Sequence, residues 1–137
     1  RRTPAVPEAP PRSHRFLPRT VRGLMADLGW WQEPVPQPPS MHLLQVLAVL
    51  RRYGWAQSMD VTLTGCVCVR GAQSLLEKQG HVTVQARERA VHYMQQVLAD
   101  SGVTMQFFAW NDLPGQSLDI VGELLVRAAY TARENGE

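Results

Sequence analysis

Residues 110–134, WNDLPGQSLDIVGELLVRAAYTARE, decide the fold. The second half is an amphipathic helix. Val121, Leu124, Leu125, Ala128, Ala129 and Ala132 recur at the spacing that lines one face of a 3.6-residue turn. Ser117 stands where an N-cap belongs, with a side-chain oxygen able to accept a first-turn N–H. Asp119 places a carboxylate in that first turn, where the helix dipole favours negative charge. Upstream, Asn111 and Asp112 can bond their own backbone, Pro114 fixes φ and Gly115 accepts a left-handed conformation, so the segment turns tightly before the helix begins. Trp110 adds an aromatic anchor to that turn.

Working outward, residues 103–110 fit either a short strand or a short helix, with Phe107, Phe108 and Trp110 as apolar anchors. Thr83 is placed to cap a helix over 84–99, with Ala90, Val91, Met94, Val97 and Leu98 inward and Arg87, Glu88, Arg89, Gln95 and Gln96 outward. The run Asp100-Ser101-Gly102 ends it. Thr64 is expected to start a helix over about 66–79. Its stripe is Cys68, Ala72, Leu75 and Leu76, and Gly71 with Ala72 would admit a second helix at close range. Residues 60–65 alternate β-branched side chains, which fits a short strand or, preferably, a loop docked on the core. Ser40 is read as the cap of a helix over 41–53 that Gly54 terminates. Leu43, Leu44, Leu47 and Leu50, widened by Val46 and Val49, make it the most apolar helix and central to the core. Arg51 and Arg52 in its last turn suit the negative end of the helix dipole.

The first 39 residues differ from the rest. Nine of the ten prolines lie between Pro4 and Pro39. Six arginines face only Glu8 up to Arg22, whereas from Ser40 onward eight basic residues face nine acidic ones. A proline-rich basic arm over 1–39, carrying a short helix at 20–28 capped by Thr20, therefore precedes a helical domain over 40–137. The fold class expected is all-α, an irregular orthogonal bundle of about four helices plus the short N-terminal helix and the arm. Phe16, Trp30 and Trp31 are the arm's candidate anchors, onto the body or onto a partner. Arg1, Arg2, Arg12 and Arg15 are its candidate phosphate contacts, whose binding would weaken with salt. The near-neutral body argues against a nucleic-acid-binding face of its own.

No motif fixes a chemistry. Cys66 and Cys68 are two apart, too close for a relaxed disulfide, and on a helix they would point away from each other. With His42, His81 or His92 they lack the paired ligand spacing of a structural zinc site. Cys66 near a helix N-terminus would favour a thiolate, but a nucleophile also needs a base and an orienting group. No catalytic residue, cofactor or metal is therefore assigned, and a small enzyme using Cys66 or Asp112 in a pocket is the last alternative. Two free thiols suit a reducing, cytoplasmic compartment, and no apolar run is long enough to span a membrane.

The ordered set Gly54-Trp55-x-Gln57, Gly65-Cys66, Gly71-Ala72 and Trp110-Asn111-Asp112-x-Pro114-Gly115-x-Ser117, followed by an alanine-rich helix, resembles a family of small actinobacterial domains of unknown function. The resemblance covers about residues 41–134. It implies no activity and supplies no catalytic residues. Thirteen arginines against one lysine agree with a high-GC source. The expectation is a non-enzymatic helical protein-interaction module of a high-GC bacterium or its mobile elements. A protein partner is expected and a homo-oligomer is compatible with the sequence; a nucleic-acid accessory acting through the arm is the first alternative. The interaction surface is expected at Trp110, Asn111 and Asp112 with Trp55 and Gln57. There an aromatic ring beside polar groups could recognise a peptide or a small polar ligand, if the polar groups are not spent on the turn itself.

Overall fold

A computed structural model of the chain describes residues 34–137. Among them are five helices: Pro39–Tyr53 (α1), Val69–Lys78 (α2), Val84–Asp100 (α3), Phe107–Asn111 (α4) and Leu118–Glu134 (α5). The expected all-α bundle is observed. Residues 60–65 form a loop, with Val61 and Trp55 each making an isolated bridge to Val67. The expected helix over 20–28, the anchors Phe16, Trp30 and Trp31, and the arginines Arg1, Arg2, Arg12 and Arg15 lie outside the described residues.

The core is built chiefly by α1 on α5, with α3 covering α5 next. Leu43, Val46, Leu47, Val49 and Leu50 of α1 are buried against the α5 stripe, Val121, Leu124, Leu125, Ala128, Ala129 and Ala132, all of it buried. Leu44 sits at the core's edge, only partly buried. The close approach of α1 and α5 rests on Gly122, where a Cβ would come within 3.2 Å of Leu47 Cδ1. Ala90, Met94 and Leu98 of α3 are buried as expected, and Val91 and Val97 are at the margin. Tyr93 is buried too, because its hydroxyl has a partner: it donates to the Glu137 carboxylate, which also meets Arg89 at 2.8 Å. A buried phenol with its hydroxyl satisfied packs as a large apolar ring.

Helix starts follow the capping chemistry with two corrections. Thr83 and Ser117 accept the N–H of Ala86 and Ile120 at 3.1 and 3.2 Å, as expected. Ser40 is not a cap: it lies inside α1, whose N-cap position is Pro38, and its hydroxyl donates to the Glu137 carbonyl at 3.0 Å. Pro39 supplies the first helical position, where φ is preset and the missing N–H costs nothing. The helix expected from about residue 66 starts at Val69, with Cys68 as N-cap, its Sγ accepting the Gly71 N–H at 3.3 Å. The preceding backbone is already engaged: Val67 N–H donates to the Gly54 carbonyl and Ala56 N–H to the Val67 carbonyl, each at 2.9 Å. Gly71 admits a loop rather than a helix, since a Cβ there would lie 2.0 Å from the Asp60 carbonyl oxygen.

Of residues 103–110, expected as a short strand or a short helix, only 107–110 are helical, as the start of α4; residues 103–106 are an irregular link. Gln95, expected to face outward, is partly buried and holds the turn into α4. It accepts the Phe107 N–H at 2.6 Å and donates to the Met105 carbonyl at 3.1 Å. One polar pair lies inside the core. His42 and Gln73, 0% and 1% exposed, meet at 3.1 Å between His42 Nε2 and Gln73 Nε2. Burial first, and the Arg87 charge second, lower the His42 pKa to about 4, so the ring is neutral at physiological pH.

Candidate functional site

The structure brings Trp55, Gln57, Asn111 and Asp112 together, although more than fifty residues separate the two segments. The end of α4 presents Asn111 to the loop that follows α1. The Trp55 indole N–H donates to Asn111 Oδ1 at 2.7 Å, and Asn111 Nδ2 donates to the Ala56 carbonyl at 3.1 Å and to Asp112 Oδ1 at 2.9 Å. An indole N–H can only donate and a carbonyl oxygen can only accept, so the amide orientation is fixed by its partners. Gln57 Nε2 donates to the carbonyls of Asn111 and Leu113 at 3.2 and 2.9 Å. Asp112 Oδ1 also accepts the Ser58 N–H at 2.8 Å. Asn111 is 1% exposed. Its amino group spends both donors within the fold, and burial beneath the indole closes its oxygen to a ligand.

This arrangement is a clasp between the 55–58 loop and the start of the α4–α5 turn. It holds Ser58 at φ 66°, the one positive φ outside glycine among the described residues. A non-glycine residue there is strained by about 1 kcal/mol or more, offset by the bond from its N–H to the Asp112 carboxylate. Trp110 does not join the polar network through its ring. It packs on the core's edge, and its carbonyl accepts from Gln116 Nε2 at 2.9 Å. Trp55 and Gln57 bond Asn111 and backbone carbonyls and not the Asp112 carboxylate, which takes the Ser58 N–H and the Asn111 amide.

A second staple secures the same loop to α2. Asp60 Oδ1 meets the Cys68 thiol at 3.4 Å and Arg70 Nε at 3.1 Å, and the Arg70 guanidinium lies 4.8 Å from the centre of the Phe108 ring. Burial holds the Cys68 thiol above its ordinary pKa; the Gly71 N–H opposes this and Asp60 reinforces it. Cys68 is therefore a protonated cap and not a nucleophile. Cys66 lies in the loop before α2 rather than on the helix, its thiol 3.7 Å from Thr64 Oγ1 and close against Gly54. Among the described residues no group of three His, Cys, Asp or Glu side chains is placed to hold a metal ion. No helix among them is long and apolar enough to cross a membrane.

The unspent apolar surface lies elsewhere. Along the outer side of α5, Ile120, Val126 and Tyr130 are 43%, 46% and 67% exposed. Shallow hollows flank them. One of about 410 Å³ is lined by Val97, Val126, Arg127 and Tyr130, and another of about 460 Å³ by Arg51, Leu118, Glu123 and Val126. The Arg127 and Glu123 side chains stand between, 3.9 Å apart and more than half exposed. Sequence reasoning missed this face because its charged residues read as an ordinary solvated helix side. Its signal was Ile120, Val126 and Tyr130 lying outside the core stripe.

Fold and site together define a small all-helical domain whose most conspicuous polar cluster is a structural clasp. The chain belongs to the family of unknown function DUF6197, whose model matches residues 34–131. The match takes in α1 to α4, the clasp and most of α5. No curated protein and no solved structure matches the chain.

Proposed function

We propose that the domain is a non-enzymatic helical module that binds another protein, and that the outer side of α5 is its contact surface. The observation carrying this reading is the concentration of exposed apolar side chains, Ile120, Val126 and Tyr130, on a rigid helix flanked by shallow hollows. Exposed apolar side chains gathered on one side of a helix among charged residues give a protein partner something to cover. The Trp55–Asn111–Asp112 cluster supports the fold in this reading, since its polar groups are bonded to one another and to the backbone. Exposed Phe108 and Leu113 beside it give that edge a lesser contact capacity. The free thiols favour a cytoplasmic setting. The thirteen arginines against one lysine favour an actinobacterial or other high-GC source, including its mobile elements.

The test is capture with the full chain against Tyr130→Glu and Asn111→Ala, each checked for helicity. Proteins recovered with the parent and lost with Tyr130→Glu, at unchanged helicity, support the reading. Equal recovery with Tyr130→Glu overturns it.

A further inference from the structure

Ile120, Glu123, Arg127 and Tyr130 form one outward stripe of α5, at the 3-4-3 spacing of a helix seam. The stripe is symmetric about the level of Leu125. Ile120 and Tyr130 lie equally far from it on either side, and so do Glu123 and Arg127. Two copies of the helix laid antiparallel about a two-fold axis at that level would set Ile120 against Tyr130 of the other copy and Glu123 against Arg127 of the other copy, each twice. A two-fold interface requires this self-complementarity, because every residue must suit the residue its own counterpart meets.

Within one chain the two charges are poorly used. Arg127 and Glu123 stand 3.9 Å apart with side chains 62% and 69% exposed, a geometry that contributes little. Across the antiparallel seam each charge gains an opposite partner while Ile120 and Tyr130 are covered, and Val126 falls beside the axis. We propose that the partner of this face is a second copy of the same chain, forming an antiparallel two-fold dimer through α5. This rests on the interaction reading above and names its partner.

Sedimentation of the full chain over a concentration series at low salt provides the test. The parent is expected to show a monomer–dimer equilibrium. Glu123→Arg and Arg127→Glu each place like charges across the seam twice, and each should weaken the dimer about tenfold. The double variant Glu123→Arg/Arg127→Glu recreates both pairs with the charges exchanged and should restore association to near the parent level. These side chains are exposed, so folding is not at stake, and helicity serves as the control. A double variant as weak as either single change overturns the proposal, as does a parent that stays monomeric throughout. If that monomer still captures a protein that Tyr130→Glu loses, the second copy is wrong as partner and the interaction reading stands. If Tyr130→Glu instead alters hydrogen exchange within residues 1–33, the N-terminal segment occupies the face, and the dimer is equally excluded.

Discussion

The clasp at Trp55, Gln57, Asn111 and Asp112 and the outer side of α5 are both partly exposed edges of one helical domain, yet they use their side chains in opposite ways. In the clasp, the Asn111 amide, the indole N–H and the Ser58 N–H are satisfied within the molecule. On α5 the apolar side chains are uncovered among the described residues and the central ion pair is loose. A dense cluster of polar and aromatic residues is thus the less available surface, because hydrogen bonds that fix a turn are withdrawn from ligands. The blander helix side retains its capacity. Removing side chains should therefore cost stability at the clasp and association at α5.

The largest stability loss is expected for Asn111→Ala. It leaves the Trp55 N–H and the Ala56 carbonyl without their partner in a nearly sealed site, and each group so stranded costs about 1–3 kcal/mol. A loss of about 3 kcal/mol should appear in denaturant unfolding as a lower midpoint at unchanged slope. A variant as stable as the parent would break the contrast from the clasp side.

Acid should weaken the interior by a similar amount without involving either edge. The His42 pKa is lowered to about 4 in the folded chain, below its ordinary value near 6.5. Above pH 6.5 both states hold the ring neutral and nothing changes. As pH falls from 6.5 toward 4 the unfolded chain binds a proton that the folded chain refuses, so stability declines, by about 3 kcal/mol in all, and levels off below that window. His42→Leu should flatten this part of the stability–pH curve; an unaltered slope would place the acid sensitivity elsewhere.

Gly71→Ala tests the second staple. Better helix propensity would add about 1 kcal/mol, but the Asp60 carbonyl stands where the Cβ must go. A net loss of about 2 kcal/mol is expected from displacing the loop, together with faster hydrogen exchange over residues 55–66. The smallest effect is expected at Ser58→Gly, where relief of positive φ is offset by unfolded-state entropy. The gain should be about 0.5 kcal/mol. A loss there would mean that the clasp does not impose the strain.

Much of this arrangement was legible in the sequence. The α5 stripe and the caps Thr83 and Ser117 follow from local chemistry, and the sequence pattern already groups Trp55 and Gln57 with Asn111 and Asp112. The departures have physical causes. Ser40 resembles a cap, but Pro39 already satisfies the first helical position and the hydroxyl reaches Glu137 across the fold. Cys68 is an uncommon N-cap, and the start of α2 is decided by pairing among Gly54, Ala56 and Val67 that no helical periodicity encodes. Tyr93 and Gln95 are drawn inward by distant partners, Glu137 and the α4 turn. Which member of Asn111-Asp112 takes the indole also depends on three-dimensional reach. The α5 outer side was hidden by its own composition, since Glu123 and Arg127 match any exposed helix until the uncovered Ile120, Val126 and Tyr130 are seen beside them.

The most direct test of the division between the clasp and the proposed binding face is the thermal midpoint of the parent, Asn111→Ala and Tyr130→Glu, each measured across a range of protein concentration. Association that favours the folded state raises the midpoint with concentration. The parent's midpoint should rise. That of Asn111→Ala should start well below it and rise in parallel. Tyr130→Glu should match the parent at high dilution and then stay flat. An Asn111→Ala midpoint equal to the parent's, or a Tyr130→Glu midpoint that climbs as the parent's does, would contradict the division.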